Sequence, residues 1–403
     1  MSQSACQKID KYTMTTYGRQ QVCFVRGKGM QLWDDAGKEY LDFLAGIAVV
    51  GLGHAEPSVS QAVCNQALNL VHVCNLYYTE PQARVAELLV QNSFADRVFF
   101  CNSGAEANEG ALKLTRLWGK KHLNGAYGVI TMYGSFHGRT MKTLSATGQK
   151  KIQKGFEPLA PGFSHVAYGD LDALDKAWDD NTCAVLLEPV LGEGGVVLPP
   201  EDYLAGVRKM CTERGALLLY DEIQTGLGRT GKLFAYEHSG VAPDIMSLAK
   251  SLANGLPAGA VCATEKVAEL FTPGTHGTTF GAGPVLMEAA RVVLETLTSP
   301  GFMERVEGTG VYFLEKLRML AHKHQDKVAE ARGLGLILGL ELKGLGAPLV
   351  AQLLERGFVV NCTQDTVLRF LPPLIVMQEH IDALIEALDE VLGAWQPEPA
   401  EKS

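Results

Sequence analysis

Five short apolar runs, separated by segments of helix length, constrain the fold of this chain more than any other feature. They are RVFFC (97–101), GVITMY (128–133), AVLLEP (184–189), ALLLYDE (216–222) and DIMSLA (244–249). Strands that are apolar along their whole length are typical of a mostly parallel sheet with helices on both faces. We therefore predict an α/β domain that includes residues 95–260.

The C-terminal part of the chain has a different pattern. Helical segments alternate there with short apolar segments such as GLILGLELKG and VLRFLPPLIV, which predicts a smaller α+β domain over residues 291–395. We assign residues 46–290 to the large domain, residues 1–45 to an N-terminal segment that contributes to the small domain, and residues 396–403 to a frayed tail. The apolar positions of the last helix are Ile381, Leu384, Ile385, Leu388, Val391 and Leu392.

Charge and cysteine usage exclude several classes of protein. The formal net charge is −9 with Lys and Arg scattered, which argues against a nucleic-acid-binding surface. The nine cysteines include no C-x-x-C pair, so we expect neither a disulfide framework nor a metal site. No stretch of about 18 apolar residues occurs, and the N-terminus lacks an apolar segment of signal-peptide length. We expect a cytoplasmic protein with no membrane partner.

Two charged residues stand at the ends of predicted strands. Asp221 follows ALLLY, and Lys250 follows DIMSLA. Ligands of α/β proteins bind beyond the carboxyl ends of the strands. A buried amine can form a Schiff base and a buried carboxylate can keep a pyridine nitrogen protonated, which are the two requirements of pyridoxal phosphate. Taken alone, Asp221 can equally be a helix cap or an ion-pair partner, and Lys250 can extend to solvent.

The segment FFCNSGAEANEGALKL (99–114) predicts a phosphate site. A strand ends here, the NSGA turn (102–105) follows, and a helix begins. Free backbone N–H groups, the Ser103 hydroxyl and the positive end of the helix dipole suit a dianionic phosphate. An ordinary N-cap by Asn102 or Ser103 explains the same residues.

Two further glycine-rich segments resemble ligand-binding loops. GTHGTTFGAG (274–283) offers the hydroxyls of Thr278 and Thr279, although its composition equally suits a plain loop. GLGRTG (226–231) matches the G-x-G-x-x-G pattern of dinucleotide sites, with Asp244 as the acidic residue. That pattern requires a strand directly before it and a helix directly after it. DEIQT and KLFAYEHSG occupy those positions, which disfavours a nicotinamide-dependent dehydrogenase.

Longer segments resemble the class III (ω-) aminotransferases, a family of fold-type I pyridoxal-phosphate enzymes. They are LLLYDEIQTGLGRTGKLFAYEHSGVAPDIMSLAKSLANGLPAGA (217–260), NSGAEANEGALKLTR (102–116), GSFHGRTMKTLSATG (134–148) and LEPVLGEGGV (187–196). Their order and spacing agree with the family over nearly the whole chain. The resemblance implies an α/β large domain with a mostly parallel seven-stranded sheet, pyridoxal phosphate as cofactor, and a homodimer whose active site is shared between subunits.

The resemblance also implies the residues that bind the cofactor. Lys250 would form the Schiff base, and Asp221 would pair with the pyridine nitrogen. Gln224 would hydrogen-bond the ring hydroxyl, and Phe136 would stack on the ring, with a core aromatic as the alternative. The phosphate would be held by Ser103, Gly104 and Ala105, joined by Thr279 of the partner subunit.

Within the family, the segments at 32–54 and 75–89 are most similar to members that transfer the terminal amine of N2-acetylornithine to 2-oxoglutarate. The products would be N-acetylglutamate 5-semialdehyde and glutamate. Succinylornithine, ornithine and 4-aminobutyrate are alternative donors with the same terminal amine. A non-catalytic α/β binding protein, with Lys250 in a structural ion pair, is the alternative from another class.

The resemblance assigns four residues to the substrates. Arg139 would bind a substrate carboxylate, with a surface ion pair as the alternative, and Tyr17 would contact the substrate side chain. Gln-Gln-Val follows Arg19 where the family pattern has a proline. Arg369 would bind the α-carboxylate of glutamate, and Glu193 would pair with it when acetylornithine is present and then swing aside. A fixed salt bridge is the alternative, and the glycines at 192, 194 and 195 predict a mobile loop.

Overall fold

The computed structural model describes residues 4–398 of the 403. Its strands are β1 (Phe24–Lys28), β2 (Gln31–Asp34), β3 (Glu39–Asp42), β4 (Arg97–Cys101), β5 (Gly128–Met132), β6 (Phe163–Val166), β7 (Thr182–Leu187), β8 (Leu217–Asp221), β9 (Ile245–Leu248), β10 (Gly259–Ala263), β11 (Val328–Leu334), β12 (Ile337–Leu342), β13 (Phe358–Val359), β14 (Asn361–Thr363) and β15 (Val367–Phe370). Its helices are α1 (Ala5–Tyr12), α2 (Ala45–Ala48), α3 (Pro57–Asn69), α4 (Glu80–Gln91), α5 (Gly104–His122), α6 (Met141–Ala146), α7 (Lys150–Gln153), α8 (Leu171–Ala177), α9 (Tyr203–Glu213), α10 (Glu265–Ala268), α11 (Pro284–Leu297), α12 (Phe302–Lys323), α13 (Ala347–Glu355) and α14 (Gln378–Ala394). Short 3-10 helices occupy Ala235–His238 and Lys250–Ala253.

The central sheet has seven strands in the order β4-β10-β9-β8-β7-β5-β6. All neighbouring strands are parallel except β10, which runs antiparallel to both β4 and β9. Every residue of β5, β7, β8 and β9 is buried, as their unbroken apolar sequences require. The predicted α/β fold with a mostly parallel seven-stranded sheet is confirmed.

Helices cover both faces of this sheet, and strand β8 illustrates how. Leu217 and Leu219 pack on the face covered by α5, whereas Leu218 and Tyr220 pack on the opposite face against α9. Successive side chains of a strand point to opposite faces, so an apolar run such as LLLY supplies both cores at once. Ser103 caps the N-terminus of helix α5, and its hydroxyl accepts a hydrogen bond from the Glu106 N–H at 3.2 Å.

Two four-stranded sheets lie outside the central one, in the orders β1-β2-β3-β13 and β11-β12-β15-β14. Strand β13 pairs in parallel with β3, so the N-terminal strands and the C-terminal region form one sheet. The domain boundaries themselves stay predictions. In the predicted tail, the Glu398 carbonyl accepts a hydrogen bond from the Leu345 N–H at 3.0 Å, and residues 399–403 lie outside the described range.

None of the helices between residues 4 and 398 combines the length and apolarity that a membrane span requires. Groups of His, Cys, Asp and Glu that could hold a metal ion are likewise absent from this part of the chain.

Candidate active site

A cavity of about 420 Å³ lies at the edge of the central sheet where β4, β7, β8 and β9 end. Because parallel strands end at the same edge, the topology alone brings together the residues that follow them. Glu188 follows β7, Asp221 ends β8, and Lys250 follows β9. The predicted site residues that line the cavity are Ser103, Gly104, Ala105, Phe136, Arg139, Glu193, Asp221, Gln224 and Lys250.

Lys250 presents its amine to this cavity. Burial lowers the pKa of the amine from 10.5 to about 8, an effect that the negative charge of Glu193 partly opposes. Within residues 4–398 the amine has neither a hydrogen bond nor an ion pair, so a structural ion pair of Lys250 does not occur there. The residue has a φ of +44°, in the left-handed region that non-glycine residues rarely adopt. The surrounding fold therefore imposes the direction in which the amine points.

A left-handed turn beside the cavity supports Lys250. All four residues from Ala45 to Ala48 have positive φ, between 52° and 66°. The Asp42 carboxylate accepts hydrogen bonds from the Leu44 and Ala45 N–H groups, each at 2.8 Å. The Ser251 hydroxyl donates to the Ala48 carbonyl at 2.8 Å. The turn is thereby tied to the residue next to Lys250.

Asp221 is buried and fixed by three hydrogen bonds. Asn108 Nδ2 donates to Oδ2 at 2.7 Å, His137 Nδ1 donates to the same oxygen at 2.8 Å, and the Ile223 N–H donates to Oδ1 at 3.1 Å. An ionised carboxylate has about four acceptor sites, so one remains for a donor in the cavity. Neither Asn108 nor His137 was predicted from the sequence, although His137 lies in the same FHG segment as Phe136.

The NSGA turn presents unpaired main-chain donors at the start of α5. The first N–H groups of a helix have no carbonyl partner inside the helix, and those of Gly104 and Ala105 are among them. A Cβ atom on Gly104 would lie 2.8 Å from Ile223 Cδ1, so this close packing requires glycine. Asn102 Nδ2 donates to the Thr278 hydroxyl at 3.0 Å and holds the turn against the 274–283 loop.

Glu188 is a cavity residue that the sequence analysis missed. Its side chain accepts hydrogen bonds from two main-chain N–H groups, that of Phe136 at 2.9 Å and that of Gly192 at 3.1 Å. Burial raises the pKa of this carboxyl group from 4.5 to about 7, although the nearby His137 opposes the shift. The only sequence signal was a charged residue directly after a buried strand.

Glu193 forms an ion pair with Arg369, whose side chain is completely buried. Arg369 Nη1 lies 2.6 Å from Glu193 Oε1 and also donates to Gln224 Oε1 at 3.3 Å, while Nε donates to Asn361 Oδ1 at 3.3 Å. Burial alone would raise the pKa of Glu193, but the charge and the hydrogen bond of Arg369 outweigh it and the pKa lies below 4.5. The predicted pair is therefore present, and Gln224 joins it.

Three other predicted residues lie at the periphery of the site. Arg139 lines the cavity with its side chain exposed, and its guanidinium lies over the Phe136 ring at 5.5 Å from the ring centre. It has no carboxylate partner within residues 4–398. Tyr17, which is 74% exposed, and Thr279, which is also exposed, do not line the cavity of their own chain.

The GLGRTG segment has a structural position instead of a nucleotide-binding one. Arg229 is buried, and its Nη1 donates to the carbonyls of Leu336 at 3.0 Å and Pro372 at 2.6 Å. Since no helix opens directly after Gly231, the dinucleotide pattern lacks its structural context.

The side chains of the cavity fit the chemistry of pyridoxal phosphate. The cofactor needs an amine for covalent attachment, an anion for its ring nitrogen and donors for its phosphate. Among residues 4–398, Lys250 supplies an amine without a partner, Asp221 supplies an unused acceptor site, and the first turn of α5 supplies N–H groups with no acceptor inside the helix, all at the same sheet edge. The amine, the acceptor and the N–H donors that line the cavity therefore match the groups of the cofactor.

Known proteins match this chain along almost its whole length. The family model for class-III aminotransferases matches residues 13–392. The acetylornithine aminotransferase of Methanocaldococcus jannaschii is 51% identical over 94% of this chain and 96% of that protein. The ornithine aminotransferase of Toxoplasma gondii has a TM-score of 0.91 at 34% identity, covering 97% of this chain and 94% of that one. The N-acetylornithine aminotransferase of Stenotrophomonas maltophilia has a TM-score of 0.83 at 35% identity, covering 96% and 98% respectively.

Proposed function

The chain belongs to the class-III aminotransferases, and on that premise we infer that it transfers the terminal amine of N2-acetylornithine to 2-oxoglutarate. The products are N-acetylglutamate 5-semialdehyde and glutamate, in a step of arginine biosynthesis. The enzyme depends on pyridoxal phosphate. The observation that carries the inference is the partner-free amine of Lys250 in one cavity with Asp221 and the N-terminus of α5. The choice of donor is supported by acetylornithine aminotransferases that are 51% and 48% identical to this chain.

When bound, the cofactor supplies an electron sink that stabilises negative charge on the carbon beside the amine. Asp221 would hold a proton at the ring nitrogen, since its remaining acceptor site faces the cavity. The N–H groups of Gly104 and Ala105 and the Ser103 hydroxyl would bind the phosphate, Gln224 would bind the ring hydroxyl, and Phe136 would cover one face of the ring.

Lys250 would accept the proton that the substrate loses. With its pKa lowered to about 8, the amine is partly neutral near pH 7.5, so Nζ can accept the proton that leaves the amine-bearing carbon of the substrate. An amine with the ordinary pKa of 10.5 would be protonated almost completely at that pH. The buried setting of Lys250 therefore serves its role as a base.

Arg369 and Glu193 would accommodate two unlike substrates in one cavity. Acetylornithine presents a neutral methylene beside its reacting carbon, whereas glutamate presents a carboxylate there. Glu193 would neutralise Arg369 when the first substrate is bound and turn aside when the carboxylate of the second arrives. Arg139, exposed at the cavity and free of carboxylate partners within residues 4–398, would bind the α-carboxylate of acetylornithine.

We also propose a homodimer in which Thr279 of the partner subunit completes the phosphate site. The loop that bears Thr279 adjoins an apolar surface, since the Phe280 and His72 rings lie 5.6 Å apart and Asn75 Nδ2 donates to the Gly281 carbonyl at 3.0 Å. Patches of this kind mark protein interfaces. Tyr17 would reach the substrate in the same assembly. The large apolar side chains that are exposed in the 68–78 segment and in the Thr279 loop are Leu68, Leu70, Val71, Leu76, Tyr77, Tyr78 and Phe280.

The cytoplasm is the compartment that we propose. All nine cysteines are free, including the partly exposed Cys6 and Cys23, and a reducing environment keeps thiols in that state.

A panel of amino donors tests the proposed function. The purified enzyme is assayed with 2-oxoglutarate and acetylornithine, succinylornithine, ornithine or 4-aminobutyrate, and we expect the highest kcat/KM for acetylornithine. A preference of about tenfold or more for another donor, equivalent to about 1.4 kcal/mol in transition-state binding, would contradict the assignment. The visible absorption band of the holoenzyme should be absent from Lys250→Ala, and a wild-type protein that gains no band with pyridoxal phosphate would favour a non-catalytic binding protein.

A further inference from the structure

The main chain around Glu193 is held in place, which differs from the mobile loop that its glycines predict. The N–H groups of Leu191 and Val197 donate to each other's carbonyls at 3.0 and 3.1 Å. The N–H of Gly192 donates to Glu188, and the Gly195 carbonyl accepts from Arg332 Nη2 at 2.7 Å. The loop is thus bonded before, after and across Glu193.

The glycines of this loop serve close packing. A Cβ atom on Gly192 would lie 2.3 Å from Gln224 Oε1, and one on Gly194 would lie 2.8 Å from the Gly134 carbonyl oxygen. The Gly134 main chain leaves no room for a side chain at Gly194, and a side chain at Gly192 would displace the Gln224 amide. The glycines therefore let the loop approach its neighbours.

The carbonyl of Glu193 itself is bound by the small-domain hairpin formed by β14 and β15. The Thr363 hydroxyl donates to this oxygen at 2.6 Å, and Gln364 Nε2 donates to it at 2.8 Å. Thr363 is the last residue of β14 and pairs with Val367 of β15. Thr363 is buried, whereas Gln364 is exposed.

The same hairpin carries the cation of the ion pair. Arg369 lies on β15 opposite Asn361 of β14, and its Nη1 contacts Glu193 Oε1. One rigid hairpin therefore holds both the side-chain partner of Glu193 and its main-chain carbonyl.

We propose that Thr363 is a positioning residue of the acetylornithine half-reaction: it fixes the Glu193 main chain, so that only the Glu193 side chain rotates between the two substrates. The proposal rests on the proposed function. A Thr363 that merely closes the end of β14 would affect stability without distinguishing between substrates. A Thr363 that positions Glu193 affects the substrate that needs Arg369 neutralised and spares the one that uses Arg369 directly.

Single-turnover measurements on the holoenzyme separate these two roles. The pyridoxal form is mixed with acetylornithine or with glutamate, and the loss of the visible band is followed. Thr363→Val keeps the shape of the side chain but removes the hydroxyl, which should slow the acetylornithine half-reaction about 3- to 10-fold, in line with the loss of one buried hydrogen bond. The glutamate half-reaction should keep its rate or gain slightly. Thr363→Ser restores the donor and should restore the acetylornithine rate.

Two further variants serve as a control for Thr363→Val and as its replacement if it folds poorly. Thr366→Val is the matched control, because Thr366 is a half-buried threonine in the same turn whose hydroxyl bonds, within residues 4–398, to the Gln364 carbonyl alone, at 3.3 Å. Both of its half-reactions should match the wild type. If Thr363→Val folds poorly, Gln364→Ala removes the second donor from an exposed position and should slow the acetylornithine half-reaction in the same selective way.

The outcomes distinguish this proposal from the function on which it rests. A wild-type enzyme that reacts with glutamate but not with acetylornithine would refute the proposed donor. A wild-type enzyme that reacts with both, together with a Thr363→Val enzyme that slows both half-reactions equally or neither, would refute only the positioning role.

Discussion

The neutral fraction of Lys250 can be altered in both directions by changing two of its charged neighbours, Glu193 and Arg369. The charge of Glu193 raises the pKa of the amine and that of Arg369 lowers it, on top of the larger effect of burial. We expect Glu193→Gln to lower the pKa of Lys250 below about 8 and Arg369→Gln to raise it. Glu193→Gln keeps the size of the side chain, whereas Arg369→Gln also shortens it and removes the donors to Glu193 and Asn361.

The size of the effect follows from the pKa. At pH 7.5 an amine with a pKa of about 8 is neutral in roughly a quarter of the molecules, whereas one with a pKa of 10.5 is neutral in about 0.1%. Only the neutral amine can attack an aldehyde, so burial raises the reactive fraction of Lys250 about 200-fold at this pH.

Stopped-flow absorbance measures the attachment directly. The apoenzyme is mixed with pyridoxal phosphate at a series of pH values, with Lys250→Ala as the blank, and the second-order rate constant is plotted against pH. The midpoint should lie near pH 8 in the wild type, lower in Glu193→Gln and higher in Arg369→Gln. A wild-type midpoint near 10, or variants that move it in the same direction, would refute the electrostatic argument.

Three further predictions follow from the same site. Glu193→Ala should slow the acetylornithine half-reaction about 10- to 100-fold, which corresponds to the free energy of one charge-assisted hydrogen bond. The glutamate half-reaction should keep its rate in the same single-turnover assays. Equal slowing of both would favour a fixed salt bridge. Arg139→Lys should raise KM for the amino donor about tenfold and leave the visible band intact, because lysine lacks the bidentate fork; unchanged donor kinetics would rule out the assignment. Burial raises the pKa of Glu188 to about 7, so between pH 4.5 and about 7 the folded protein keeps a proton that the unfolded chain loses. The free energy of unfolding therefore falls as the pH rises through this range. Glu188→Gln should flatten this decline in urea unfolding at pH 5 and 7.5, and an unchanged slope would contradict the pKa.

Each of the five apolar runs contains a strand of the central sheet. Four of these strands, β5, β7, β8 and β9, are buried along their whole length, because strands under two helical layers have no polar side, whereas the edge strand β4 is only partly buried. Two strands of the same sheet, β6 and β10, were not predicted. Strand β10 reads GAVCA, and its small residues have little β propensity, so its pairing with β4 and β9 is a tertiary effect.

Cavity residues could be predicted from the sequence where a single charged residue marks them, and they were missed where several distant segments contribute. Lys250 and Asp221 stand out as charges at the ends of apolar strands. His137 and Asn108 are recognisable as partners of Asp221 only once residues far apart in sequence are placed side by side. The left-handed turn at 45–48 has one glycine among four residues of positive φ, so three of its residues gave no local signal.

The reversed strand β10 determines how far the segment that bears Lys250 lies from the NSGA turn, the two parts of the site proposed to hold the cofactor. Because β10 runs against β9, the segment between Leu248 and Gly259 leaves the sheet and re-enters it at the same edge, without a crossover helix. Gly259 pairs with Cys101 at the end of β4, immediately before the NSGA turn. Lys250, the proposed attachment lysine, and the proposed phosphate donors of the NSGA turn are thus spaced by the two main-chain ladders of β10, which form without a ligand. The conformational entropy of ordering this half of the site is lost during folding, so the preorganised apoenzyme can bind its cofactor without rebuilding it.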